Sequence, residues 1–398
     1  MDSFRILFIT GEASGDLSAS LLCKALFDKL PSVKISAVGG FHLQNAGATL
    51  LFNISDLSVM GFLEPIFKLP TFLRLANQLI AHIHQTRPQL VILVDFPGFN
   101  LAMAKKIKKL SDSPAIVYLA PPQVWAWRKS RISKIRKTCD VLFPLFDFEH
   151  QLFLAEGLSS HYYGHILSER LRGAKYYENN VENQETIRIL LCPGSRKQEI
   201  QHILPTMMRA CQHLSLSQNK PVYATVRRHP NLDPAIYDRI RLSMEPLLPD
   251  VTFFFEFDAE IRRPWANWHA AMSKPGTVNL ELAAEGCPFV VVYRTSWITY
   301  WIARFFVRIK HVSLINLLSE HTVVQEFIQH NASPERISEE VCRIVSEPEY
   351  RASMAVGFTS VLTRIEPSDQ FTVAERLADV LSNLIKKRQP EKTAASRS

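Results

Sequence analysis

The sequence predicts an α/β protein built from two Rossmann-like, doubly wound domains. Short apolar runs alternate with stretches of helical spacing from residue 5 onward, the signature of a parallel sheet covered by helices. A polar, charged stretch near residue 180 interrupts the alternation, which then resumes. The length of 398 residues also suits two domains, at roughly 100–200 residues each.

The elements follow in order. Residues 5–10 (RILFIT) have the pattern of a buried strand, and 17–30 have helical spacing. Residues 34–38 form a second strand, closed by Gly39-Gly40. LVILV at 90–94 is the most apolar strand, and AIVYL at 115–119 and residues 141–143 continue the series. Between 167 and 187 the chain turns polar, with Glu178-Asn179-Asn180 and Glu182-Asn183-Gln184-Glu185. A second series follows at 187–191, 221–226, 251–255 and 289–293, and 371–387 is helical. This predicts a first domain over 1–170, a linker over 171–186, a second domain over 187–355, closing helices over 356–388 and a disordered polar tail over 389–398.

Composition narrows the function classes. Hydrophobic residues make up 47% and charged residues 21%, as in a chain with a packed core. The six cysteines are scattered, without a C-x-x-C pair, and read as small core residues in a reducing compartment. The first residues are expected to enter a strand rather than serve as a secretion signal. No uninterrupted apolar stretch reaches the roughly 20 residues of a membrane span. The best candidate, 289–307, is broken by Arg294 and Arg304, so a soluble or peripheral protein is expected. The net charge of +8 favours anionic partners: phosphates, an anionic membrane surface or nucleic acid. No RNP, zinc-finger or helix-turn-helix pattern supports nucleic acid.

In open α/β sheets, ligands bind beyond the carboxyl ends of the strands. Five stretches stand there: Gly11–Asp16, Asp95–Asn100, Pro121–Arg128, Pro193–Arg196 and Lys274–Glu281. Gly11-Glu12-Ala13-Ser14-Gly15-Asp16 opens a helix after a buried strand. Two glycines let the backbone approach a ligand, and the N–H groups of a helix start favour an anionic or polar group. It is not a Walker A loop, for no Gly-Lys-Ser/Thr follows. The alternative is an ordinary turn capped by Ser14 or Asp16. Asp95-Phe96-Pro97-Gly98-Phe99-Asn100 ends the most apolar strand. Asp95 is thus expected at the edge of a low-dielectric core, which would raise its pKa and suit it to act as a general base. The alternative is an Asp capping the turn.

Pro193-Gly194-Ser195-Arg196 offers turn N–H groups at Gly194 and Ser195 and a guanidinium fork suited to phosphate, or simply a surface Arg. In Lys274-Pro275-Gly276-Thr277-Val278-Asn279-Leu280-Glu281, Gly276 and Thr277 would meet a phosphate. Glu281 lies one helical turn on, where its carboxylate could accept both ribose hydroxyls. A capping box from Thr277 fails because Leu280 stands at its third position.

Trp297, Ile298, Trp301, Ile302, Phe305, Phe306 and Ile309 recur at helical spacing with Arg304, Arg308 and Lys310 between them. They form either a membrane-contacting helix or a core helix with snorkelling cations. Met60, Phe62, Leu63, Ile66, Phe67, Leu69 and Phe72, near Lys68 and Arg74, pose the same choice. The histidines form no metal set and no D-x-D motif occurs, so no metal and no cofactor are expected.

In their order, GEASGD, DFPGFN, VWAWR (124–128), YGHIL (163–167), CPGSR, PGTVNLELA and VSLINLL (312–318) closely resemble lipid-A-disaccharide synthase, over about residues 5–350. GEASGD and VWAWR are highly specific; PGSR and the Gly-Thr loop recur in many nucleotide-sugar enzymes. The resemblance implies a GT-B fold, with two Rossmann-like domains facing a cleft and a C-terminal helix crossing back to the first. It implies an inverting glycosyltransferase joining UDP-2,3-diacylglucosamine to 2,3-diacylglucosamine 1-phosphate, with UDP and a β-1,6-linked disaccharide 1-phosphate as products.

The family's catalytic carboxylate falls on Asp95 and its phosphate-contacting arginine on Arg196. The GEASGD glutamate falls on Glu12, with Ser14 and Gly15 beside it at the sugar, and a family asparagine falls on Asn316. Three positions depart from the pattern. Gly98 replaces a common acidic residue, which leaves Asp95 as the sole candidate base in the motif. Pro275 replaces a Ser of the usual Ser-Gly-Thr and removes its hydroxyl, and Gln123 stands where Ser is usual. The acylated substrates imply a cytoplasmic protein held peripherally on the inner membrane, with a homodimer left open. A different GT-B enzyme, such as a UDP-GlcNAc epimerase, would share PGSR and Gly-Thr but not GEASGD with VWAWR. A basic surface-binding protein without activity is the second rival.

Overall fold

The computed structural model describes residues 4–54, 69–125, 130–171, 185–229, 232–257, 268–295, 310–319, 321–367 and 370–388. The chain divides into two compact units, one of residues 1–59, 63–169 and 365–398, the other of 60–62 and 170–364.

The first unit alternates β1 (Arg5–Ile9), α1 (Ala13–Lys29), β2 (Lys34–Gly39), α2 (Phe41–Asn45), β3 (Thr49–Asn53), α3 (Leu69–Thr86), β4 (Leu90–Val94), α4 (Pro97–Ile107), β5 (Ala115–Leu119), α5 (Arg131–Thr138), β6 (Val141–Phe143), α6 (Asp147–Ala155) and α7 (Ser168–Leu171). Its six strands run parallel in the order β3-β2-β1-β4-β5-β6. Period-two side-chain alternation divides each strand between two cores. Ile6, Phe8, Ile35, Leu90, Ile92 and Val94 enter one face. Leu7, Ile9, Val91, Leu93, Ile116 and Tyr118 enter the other. Burial on both faces is why these strands are continuous apolar runs.

The C-terminal helix Val373–Arg388 joins the first of these cores through Val373, Leu377, Leu381 and Ile385. Burying each such side chain contributes about 1.5–3 kcal/mol of transfer free energy. Its exposed Lys29–Asp379 ion pair adds about 0–1 kcal/mol. The Glu169 carboxylate accepts from Ala374 N at the helix start, at 2.9 Å.

The second unit repeats the scheme with β7 (Ile187–Cys192), α8 (Lys197–Gln218), β8 (Val222–Arg228), α9 (Pro234–Met244), β9 (Val251–Phe257), β10 (Ala270–Ser273), α10 (Val278–Ala284), β11 (Phe289–Tyr293) and β12 (Glu326–Ile328). Three further helices are Leu314–Leu318, Pro334–Ser346 and Pro348–Ile365. The parallel order β12-β11-β10-β7-β8-β9 is the first sheet's order, with β7 in the place of β1. Both sheets thus have the doubly wound order of a dinucleotide-binding fold.

Strands β4, β5, β6 and β11 occupy the residues predicted for them. Three strands have no predicted counterpart. β3 lies at a sheet edge and none of its residues is fully buried, β10 is the small-residue run AAMS, and β12 has three residues. Helix α1 begins at Ala13, four residues before the predicted start, because the GEASGD turn is itself its first turn.

Candidate active site

A doubly wound sheet has one point where neighbouring strands send their following helices to opposite faces, and ligands bind in the crevice beyond the strand ends there. In the first sheet that point lies between β1 and β4, paired through Ile6↔Leu90 to Ile9↔Leu93. The turns that leave it are Gly11–Asp16 and Asp95–Asn100. In the second sheet it lies between β7 and β10, paired through Ile189↔Ala270 to Cys192↔Ser273. The turns there are Pro193–Arg196 and Lys274–Thr277. Four of the five strand-end stretches of the sequence therefore fall on the two switch points; the fifth, which begins at Pro121, follows β5 instead.

At the first, Gly15 brings α1 against the end of β4. A Cβ on Gly15 would lie 3.5 Å from Val94 Cγ1 and 3.9 Å from Asp95 Cβ. Asp95 and Phe96 are both left-handed, at φ 47° and 49°. Each such residue costs on the order of 1–3 kcal/mol and persists only where its surroundings over-determine it. Here they do. Asn100, fully buried, donates from Nδ2 to Ile9 O at 3.3 Å, Val94 O at 3.2 Å and Asp95 O at 2.8 Å. The Tyr118 hydroxyl donates to Asp95 O at 2.8 Å. Burial pushes that phenol well above its ordinary range, and the nearby Asp95 carboxylate adds to the effect. Pro97 then starts α4, where its missing N–H is harmless. The Phe96 ring stacks on Phe99 at 5.5 Å. Asp95 itself is half-buried at the strand end.

The GEASGD turn corrects one expectation. Neither Ser14 nor Asp16 caps α1; Glu12 holds the N-cap position in extended conformation, without a side-chain cap bond. Asp16 is buried and accepts from Gly40 N at 2.7 Å, His42 N at 2.9 Å and Leu43 N at 3.3 Å. It fastens the turn after β2 and the start of α2. Glu12 and Ser14 remain half-buried at the switch point.

Of the VWAWR segment, Val124 and Trp125 are described; residues 126–129 lie outside the described residues. Trp125 donates from Nε1 to Glu149 Oε1 at 2.8 Å, and Leu145 N donates to Oε2 at 3.2 Å. Burial pushes the Glu149 carboxyl up to about 7, against these hydrogen bonds that favour its charge. His165, from YGHIL, is buried and pushed down to about 4 by desolvation.

At the second switch point, Gly194 at φ 125° and Gly276 at φ 152° turn the backbone where other residues would be strained. Arg196 holds the N-cap position of α8 and donates from NH1 to Glu199 Oε1 at 3.4 Å. Lys274 Nζ reaches the same carboxylate, at 3.2 Å from Oε1 and 3.1 Å from Oε2. Asn279, fully buried, donates from Nδ2 to Ser273 Oγ and Lys274 O at 3.0 and 3.1 Å. Its Oδ1 accepts from Gly276 N at 3.4 Å, which shapes the Gly276-Thr277 turn from beneath. Thr277 makes no side-chain cap bond, in line with the failed capping box. Ser195 is half-buried beside Arg196.

Two candidates have partners that the sequence did not reveal. Glu281 Oε2 accepts from Arg227 NH2 at 3.0 Å, across the sheet from the end of β8. The Asn316 amide is committed within its own unit. It donates to Val324 O at 2.8 Å and Glu326 Oε1 at 2.9 Å, and accepts from Val323 N and Val324 N at 2.9 and 3.1 Å. It ties its own helix to Val323, Val324 and Glu326. Sequence reasoning gave no role to Asn100, Tyr118, Glu199, Lys274 or Asn279. A polar residue directly after a strand-end turn was the available signal for Asn100 and Asn279. Of the two aromatic, basic segments, residues 296–309 and 55–68 lie outside the described residues. Among the described residues no helix is long and apolar enough to cross a membrane.

Residues 6–374 match the family model described as lipid-A-disaccharide synthetase. A lipid-A-disaccharide synthase of Coxiella burnetii (strain CbuG_Q212) is 33% identical over 391 residues, 97% of this chain and 100% of the relative. Among solved structures, the Methanocaldococcus jannaschii UDP-GlcNAc 2-epimerase in complex with UDP-GlcNAc and UDP superposes with a TM-score of 0.59 at 11% identity, over 96% of this chain and 100% of the other. CalG4, the calicheamicin glycosyltransferase, gives 0.55 at 16% identity, over 98% and 100%. These two share the fold, a GT-B glycosyltransferase architecture.

Proposed function

Since the chain belongs to the lipid-A-disaccharide synthetase family, and so is a lipid A disaccharide-forming glycosyltransferase, we propose its substrates, its base and its donor site. The donor is UDP-2,3-diacylglucosamine and the acceptor 2,3-diacylglucosamine 1-phosphate. The products are the β-1,6-linked disaccharide 1-phosphate and UDP, formed with inversion.

One observation carries the assignment of roles. The two turns with carboxylates, GEASGD and DFPGFN, meet at the switch point of the first sheet, and the two phosphate-type turns meet at that of the second. Asp95 takes the proton of the acceptor 6-hydroxyl as that oxygen attacks the donor's anomeric carbon. The bond from that carbon to the diphosphate oxygen breaks through an oxocarbenium-like transition state, and its electron pair leaves with UDP. One base suffices, because the leaving group needs charge stabilisation more than a proton. Arg196, the Gly194-Ser195 and Gly276-Thr277 backbone and the amino end of α8 supply it. Glu281 holds the ribose, exchanging part of its pairing with Arg227 for the ribose hydroxyls. Glu12, with Ser14 and Gly15, orients the sugar. Asn316 contributes by holding Val323, Val324 and Glu326 against its helix.

Acylated substrates and a net charge of +8 support peripheral attachment to the cytoplasmic face of an anionic inner membrane. Mass spectrometry of the products from a mixture of both lipid substrates tests the reading. A tetra-acylated disaccharide 1-phosphate with stoichiometric UDP is expected. Turnover of non-acylated UDP-GlcNAc in place of the lipid donor would overturn it.

A further inference from the structure

We infer that Lys274 is a second cationic contact for the donor's diphosphate, held over the two glycine turns of the second unit by Glu199. The inference rests on the donor site placed in this unit above. Lys274 leaves the end of β10 and is largely buried, with 18% of its side chain exposed. Its side chain crosses both turns. A Cβ on Gly194 would stand 3.0 Å from Lys274 Cδ, and one on Gly276 would stand 3.5 Å from Cε and 3.9 Å from Nζ. The ammonium therefore lies over the backbone that a phosphate would approach.

Glu199 sets that position. Both its oxygens lie within 3.2 Å of Nζ, and its Oε1 also accepts from Arg196 at 3.4 Å. Gly194 is the residue that lets the arrangement close, because a Cβ there would stand 2.5 Å from Glu199 Oε2. Two cations share one carboxylate, so the trio carries a net positive charge in a half-buried setting, where an attraction for phosphate is stronger than in water. Without Lys274 the trio would be neutral. The Arg196–Glu199 pair is local to the first turn of α8, so Lys274 is the cation that the second turn brings to this carboxylate.

The test uses the full-length protein with Lys274→Met and Lys274→Arg. UDP binding is measured by calorimetry and uridine binding by ligand-observed NMR titration. Lys274→Met is expected to weaken UDP by at least about tenfold, as for a lost hydrogen bond to a charged group, and uridine by less than about twofold. Lys274→Arg, which keeps the charge, should bind UDP within about threefold of the parent protein. UDP affinity unchanged in Lys274→Met, or UDP and uridine weakened alike, would overturn the inference. Failure of the parent protein to bind UDP is a different result and removes the donor site itself.

Discussion

Gly11 and Phe96 leave no room between them: a Cβ on Gly11 would stand 2.2 Å from Cγ of the Phe96 ring. The contact joins the turn after β1 to the turn after β4. It also holds in place the residue that follows Asp95, whose own backbone is left-handed. Gly11→Ala must push that ring aside, at a cost of about 1–3 kcal/mol for overpacking. Because Asp95 and Phe96 share one strained turn, the loss of turnover should exceed what the loss of folded protein explains. Unfolding midpoints and turnover measured on the same preparation check this.

Asn100 supports the same turn from below. Asn100→Asp would aim a carboxylate at three carbonyl oxygens, those of Ile9, Val94 and Asp95. Destabilisation of about 3 kcal/mol is expected from the buried charge and the lost donors. Tyr118→Phe removes one hydroxyl bond to Asp95 O and should cost only about 1 kcal/mol. Denaturant unfolding of both variants separates the two values.

Glu149 gives the stability a pH dependence with a definite sign. Its carboxyl is raised by burial from 4.5 to about 7. The protonated form is favoured in the folded protein, so its stabilising contribution is full below 4.5 and is lost as pH rises through about 7. Above that, keeping a buried carboxylate charged costs about 3 kcal/mol. Glu149→Gln keeps an acceptor for Trp125 and cannot ionise. Its unfolding midpoint relative to the parent protein should climb between pH 4.5 and 8. His165 and His269, both lowered to about 4, work in the opposite sense below 6.5; they are common to both proteins and cancel in the comparison. A difference that stays flat with pH would contradict the burial of an ionising Glu149.

Arg196→Ala should weaken UDP binding and lower turnover by about 10²–10³-fold, as when one electrostatic donor to a developing charge is removed. The same substitution leaves Lys274 on Glu199, so the fold of the second unit should be kept. Calorimetry with UDP and a circular dichroism spectrum of the variant check both parts.

Much of this was legible in the sequence, for a local reason. GEASGD, DFPGFN, PGSR and the Gly276-Thr277 turn each follow an apolar run or a glycine-marked turn, and the strand-end rule sends ligands there. What stayed hidden depends on contacts between distant residues. Asp16 reads as a helix cap until β2 is laid beside β1, which brings Gly40 to it from 24 residues away. Lys274 and Glu199 lie 75 residues apart and meet only because β10 pairs with β7. Strand β10 escaped prediction because Ala-Ala-Met-Ser has no β-branched residue, although it is wholly buried at the centre of its sheet.

Asp95→Asn tests the assignment at the first switch point most directly. The amide keeps the size of the side chain and the bonds that Asn100 and Tyr118 make to the residue's backbone oxygen, and removes the negative charge and with it the capacity to accept a proton. With both lipid substrates present, turnover should fall by about 10²–10⁴-fold, the range for a lost general base, while UDP affinity stays within about twofold of the parent protein. Near-normal turnover with the same product would show that the proton goes elsewhere and would contradict the account.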